Sequence, residues 1–129
     1  MILDSSAIVA ILLREPDHQS LLDHLAAAED PAIGAPTLTE CGIVLSARLE
    51  ARGRTLLARF VQEAALTVIP FTAEHSSAAL DAYLRYGKGR HSAALNFGDC
   101  MTYATARLAR RPLLCAGQDF ARTDLALVQ

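Results

Sequence analysis

The chain has 129 residues, with 12 basic and 14 acidic side chains for a net charge of −2, and 52% of its residues are hydrophobic. This is the size and composition of one compact domain over residues 1–129 with an ordinary core, and it excludes a disordered, collagen-like or peptide-sized protein. No apolar run approaches the roughly 20 residues a membrane helix needs, and Met1-Ile2-Leu3-Asp4 lacks the basic and long apolar stretches of an export signal, so a soluble, cytoplasmic protein is expected.

In chain order, Met1–Asp4 is a short apolar strand ended by an acid. Ser5-Ser6 then caps a helix that carries Ala7, Ile8, Ile11 and Leu12 at helical spacing. Pro16 closes that helix and opens a second, with Leu21, Leu22 and Leu25 on its inner face, and Ala32–Ala35 reads as a small buried strand before Pro36. The stripe Leu38, Cys41, Val44, Leu45 and Leu49 marks a helix from Thr37 to a stop at Gly53, and another helix runs from Thr55 to about Leu66. Thr67–Phe71 is the third strand, β-branched and broken by Pro70; Thr72 caps the next helix, whose first turn holds Glu74.

Gly87-Lys88-Gly89-Arg90-His91-Ser92 is a polar surface loop. Asn96-Phe97-Gly98-Asp99 opens a further helix with Met101, Ala104 and Leu108 facing inward, Pro112–Ala116 is the fourth strand, and Leu125–Val128 is a short last one. Apolar strands alternating with amphipathic helices specify an α/β fold, because parallel strands need a helical crossover and bury both sheet faces. The expected architecture is a four- to five-stranded parallel sheet between two helical layers.

Cys41, Cys100 and Cys115 are odd in number and far apart, which argues against a disulfide framework or a paired-cysteine zinc site; the four histidines follow no metal spacing. Residues 1–30 hold six acids against the single base Arg14, whereas the remainder is net basic, and all but one of the twelve bases are arginine. Arginine's planar fork suits phosphate, so nucleic acid is a candidate partner, although an arginine-rich solvated surface explains the charge equally well.

The informative residues of an open α/β sheet lie beyond the carboxyl ends of its strands. Asp4 ends the first strand, Glu40 lies early in the helix after the second, Asp99 opens the helix before the fourth, and Asp119 follows that strand. Singly, each is an ordinary turn or helix-start acid. Together on one edge, pairs at about 5 Å repel by about 3 kcal/mol at an effective dielectric near 20, so protons or a hard divalent cation must offset them. Oxygen-only ligation points to Mg²⁺ or Mn²⁺ and not to zinc.

Met1-Ile2-Leu3-Asp4-Ser5-Ser6-Ala7, Thr39-Glu40, Asn96-Phe97-Gly98-Asp99-Cys100 and Gly117-Gln118-Asp119-Phe120-Ala121-Arg122-Thr123-Asp124 closely resemble the signatures of PIN-domain ribonucleases, in particular the VapC toxins of type II toxin–antitoxin systems. The resemblance covers essentially the whole chain. It implies a PIN-like three-layer fold and a Mg²⁺- or Mn²⁺-dependent endoribonuclease that cuts RNA, held inactive by a VapB-type antitoxin, as a homodimer or a toxin–antitoxin hetero-oligomer. It makes Asp4, Asp99 and Asp119 metal ligands and Glu40 a ligand directly or through water. Ser6, Thr123 and Asp124 become supporting groups behind the ligands.

Where some members of that family carry Thr or Ser after the last core strand, this chain has Ala116-Gly117, leaving Ser6 and Thr123 as the nearest hydroxyls. Lys88, Arg90, His91 and Arg122 are candidates to grip RNA phosphates, and Ile11, Leu12, Leu21, Leu22 and Leu25 supply apolar surface for the antitoxin. Two other readings stay open: a PIN nuclease of RNA processing or decay without an antitoxin, and a non-catalytic α/β interaction module whose acids bind a structural cation.

Overall fold

The computed structural model describes all 129 residues. Four strands, β1 (Ile2–Leu3), β2 (Ala32–Gly34), β3 (Thr67–Ile69) and β4 (Leu113–Leu114), alternate with six helices: α1 (Ser5–Leu12), α2 (His18–Ala27), α3 (Ala35–Leu49), α4 (Ala51–Glu63), α5 (Ala73–Tyr86) and α6 (Phe97–Ala109). The strands form one parallel sheet in the order β3-β2-β1-β4. Leu125–Val128 adds a single parallel bridge, Leu127 to Leu113, with main-chain bonds from Leu113 to Ala126 and from Val128 to Leu113.

Strand side chains alternate between faces. Ile2, Ala32 and Leu113 therefore face the core built with α5 and α6, whereas Leu3, Ile33 and Leu114 face the core built with α1–α4. These are the two helical layers expected from the sequence. The chain moves outward from β1 to β2 to β3 on one side, then returns past β1 to lay β4 on the other. This reversal makes the carboxyl ends of β1 and β4 a topological switch point, the place where such sheets open a crevice.

Four local expectations are corrected. Gly53 does not end α3; the chain turns at Glu50, and Gly53 sits inside α4, where a Cβ would run into the Leu45 carbonyl of α3. Its missing side chain lets the two helices cross closely. Ile11, Leu21 and Leu25 are buried in the α1–α4 core and Leu12 packs against it, so of the five residues assigned to a partner only Leu22 remains exposed. Leu22 and Leu108, expected to face inward, are 39% and 38% exposed at the edges of their apolar stripes.

Candidate active site

Asp4 follows β1 and caps α1, accepting the Ser6 backbone N–H at 3.1 Å on Oδ2. The Ser6 hydroxyl donates to the same oxygen at 2.6 Å and accepts the Ala116 N–H at 3.0 Å, which ties the end of β4 to the end of β1. The other oxygen, Oδ1, accepts the Thr102 hydroxyl at 2.8 Å, and Thr37 Oγ1 lies 3.0 Å behind Thr102 Oγ1. Asp4 is thus 4% exposed with donors on both oxygens. Ser6 thus stands behind Asp4. Thr37 and Thr102 carried no signal in the sequence, because a helical threonine at a core position looks like packing until its partner in the other helix is known.

Asp99 opens α6 in a reciprocal cap: its Oδ2 accepts the Asn96 N–H at 3.0 Å while Asn96 Oδ1 accepts the Asp99 N–H at 2.9 Å. Burial pushes the Asp99 carboxyl up to about 6; the Asn96 N–H opposes this, and the charges of Asp4, Asp119 and Glu40 add to it. Burial raises Glu40 as well, reinforced by Asp4 and opposed by a hydrogen bond from Ser5. Glu40 approaches α6 at Gly98, where a Cβ would lie 2.7 Å from Glu40 Oε1, so only glycine leaves that carboxylate its present place. Asp119 lies in a 3-10 turn, Asp119–Arg122, anchored by the buried Phe120.

Asp4, Glu40, Asp99 and Asp119 thus line one edge and sense one another's charge. As the side chains stand, no three acid, imidazole or thiol groups converge closely enough to clasp an ion. Like charges so placed repel one another, and Asp119 is on an exposed turn. The donor set fits a hard divalent cation: it is all oxygen, and the neighbouring Cys115 thiol is pushed up to about 11 by burial and by Asp4, Asp119 and Asp99, so it supplies no soft thiolate at neutral pH.

Other sequence candidates lie elsewhere or are engaged. Thr123 donates to Phe120 O at 2.7 Å and finishes the 3-10 turn. Asp124 accepts the Tyr103 hydroxyl at 2.6 Å and pairs with Arg107 at 3.0 Å and Arg85 at 3.6 Å; burial raises its carboxyl, but these three partners together lower it and make it a fastener of α5 and α6 to the C-terminal segment. Neither stands behind the acids. Arg122 donates to Ser92 O, Arg90 to Leu84 O, and His91 Nδ1 accepts the Ala93 N–H. Lys88 makes no side-chain bond and lines a groove with Asn96 and Phe97 at the start of α6.

The PIN domain family model matches residues 1–125, and ribonuclease VapC36 of Mycobacterium tuberculosis is 55% identical over 126 residues, 97% of this chain and 91% of that one. This chain is a PIN domain of the VapC family. A solved structure of Mycobacterium tuberculosis VapC20, described as a sarcin-ricin loop cleaving toxin, matches this PIN domain with a TM-score of 0.82 over 99% of this chain and 98% of that one. A toxin–antitoxin complex from Klebsiella pneumoniae matches with a TM-score of 0.71 over 98% and 95%. Their identities of 18% and 19% speak for the fold alone. No helix of this PIN domain is long and apolar enough to cross a membrane.

Proposed function

We propose that this PIN domain is a Mg²⁺- or Mn²⁺-dependent endoribonuclease, the toxin of a type II toxin–antitoxin pair, inhibited by a VapB-type antitoxin and assembling as a homodimer or with that antitoxin. The activity follows from its kinship with a protein named a VapC ribonuclease. What supports the mechanism is the placement of the carboxylates about the switch point: Asp4 after β1, Glu40 against Gly98 of α6, Asp99 at the start of α6 and Asp119 on the turn after β4.

In this reading Asp4, Asp99 and Asp119 hold the cation, with Glu40 beside them. When bound, the ion supplies Lewis-acid activation of water and neutralises charge that develops on the scissile phosphate. Asp4 is fixed by Ser6 and Thr102 and keeps its place whatever the others do. Glu40, raised by burial and by Asp4, suits a group that orients water beside the cation. Lys88, free of internal partners and beside the start of α6, is the basic residue best placed to meet an RNA phosphate; Arg90, His91 and Arg122 shape their own loops first.

The test is cleavage of a structured RNA by the purified chain with Mn²⁺ or Mg²⁺, with EDTA, and by a folded Asp99→Asn variant. Internal cuts are expected with either ion only, and a loss of at least roughly a hundredfold in the variant, since removing one charge from a ligand set weakens both ion binding and charge stabilisation. Undiminished cutting in EDTA, or by the variant, overturns the reading.

A further inference from the structure

Two buried hydroxyls lie beneath the acids. Thr102 is 1% exposed and Thr37 is 2% exposed, and each comes from a different helix. A hydroxyl has one hydrogen. That of Thr102 is spent on Asp4 Oδ1, which as a carboxylate only accepts, so in the 3.0 Å contact between the threonines Thr37 is the donor. The chain of bonds therefore runs in one direction, from Thr37 through Thr102 to Asp4.

A carboxylate has about four acceptor directions, two on each oxygen. Ser6 occupies both on Oδ2 with its N–H and its hydroxyl, and Thr102 occupies one on Oδ1. The one direction left belongs to Oδ1, the atom Thr102 holds. The same threonines also share helix faces with acids, because positions three apart on a helix are neighbours: Thr37 precedes Glu40 by three on α3, and Thr102 follows Asp99 by three on α6. One hydrogen-bonded chain thus fastens β1, α3 and α6 beneath three carboxylates that otherwise only repel.

We infer that Thr102, backed by Thr37, is a positioning residue that aims the free lone pair of Asp4 and sets the spacing of Asp4, Glu40 and Asp99 for the cation. This rests on the metal-dependent reading above. A purely structural role, satisfying buried polar groups, makes a different prediction: it alters stability and leaves ion affinity alone.

Three variants separate the two: Thr102→Val, nearly isosteric but without the hydroxyl; Thr102→Ser, which restores it; and the double variant Thr37→Val/Thr102→Val, which strands no Thr37 hydroxyl in the core. Mn²⁺ affinity is read by titration calorimetry, cleavage by kcat and KM, and folding by thermal denaturation in EDTA. Thr102→Val is expected to lose roughly ten- to a hundredfold in Mn²⁺ affinity, the range for groups that orient ligands, with kcat lowered and the KM for RNA unchanged. Thr102→Ser returns to within a few-fold of the native protein. The double variant shows the same Mn²⁺ defect and melts above Thr102→Val though below native, because Asp4 Oδ1 still lacks its donor; it decides the matter should Thr102→Val alone fail to fold.

Native Mn²⁺ affinity in the folded valine variants, or a serine variant as defective as valine, overturns the inference while leaving the ribonuclease reading intact. A native protein that neither binds Mn²⁺ nor cuts RNA overturns both.

Discussion

Asp99 serves two masters at the start of α6. Its carboxylate caps the helix through the Asn96 N–H, which favours the ionised form, but burial and three neighbouring acids favour the proton and prevail, leaving it near 6. A carboxyl whose folded pKa lies above its unfolded value contributes stability that is fully present below about pH 4 and is lost as the pH rises through about 6. In metal-free protein at pH 7.5 the ionised Asp99 is therefore a net cost. Asn at this position keeps an oxygen for the cap and removes the charge. Asp99→Asn is expected to raise the stability of the metal-free protein at pH 7.5 by about 1 kcal/mol, solvent screening of a partly exposed group holding it to that size. The gain is expected to shrink as the pH falls from 6 toward 4. Thermal denaturation in EDTA across that range checks it; a variant less stable than native at pH 7.5 contradicts the charge crowding.

Among the elements, the α3–α4 corner shows where the sequence was legible and where it was not. The apolar stripe of α3 is readable because Leu38, Cys41 and Leu45 recur at helical spacing and do face the core. The turn itself is not, because Glu50 adopts φ 55° and ψ −140°, a region that favours glycine, while the nearby glycine is used for close helix crossing. A glycine that ends a helix and one that lets two helices touch look alike until the tertiary contact is known. The acids were legible for the opposite reason: Asp4, Glu40, Asp99 and Asp119 each follow a strand or lie near a helix start, and the geometry of parallel sheets brings such places together. The Thr37–Thr102 pair spans 65 positions, with neither member at a cap or turn, so no local pattern announced it. Strain of about 1–3 kcal/mol is typical of a side chain held in so unfavourable a backbone region, against about 0.5–1 kcal/mol of extra chain entropy lost by glycine. Glu50→Gly is therefore expected to stabilise the fold by about 1 kcal/mol in urea denaturation; a neutral or destabilising result means the corner is held by contacts of the Glu50 side chain.

Over the whole molecule, burying the leucines of α1 and α2 in the core shifts the apolar surface available to partners onto α3, α5 and α6. Phe97 is 80% exposed, Ile43 65% and Leu80 60%, with Leu84 and Tyr83 beside Leu80 on α5. Phe97 borders two grooves, one of about 610 Å³ that includes Leu80, Tyr83 and Lys88 and one of about 390 Å³ that includes Pro36, Ile43 and Glu40. An exposed ring bordering two grooves is suited to packing against its own copy, since a two-fold operation brings the same patch of both chains together. The homodimer proposed above is therefore expected to form through this surface. Leu80→Glu and Leu84→Glu, both on exposed positions of α5 away from the four acids, are expected to convert a sedimenting dimer to a monomer without lowering the melting temperature of the fold. In a dimer, four introduced carboxylates would meet at a desolvated seam, a like-charge arrangement worth several kcal/mol. A native chain that sediments as a monomer at high concentration, or a double variant that remains dimeric, assigns this surface to a different partner.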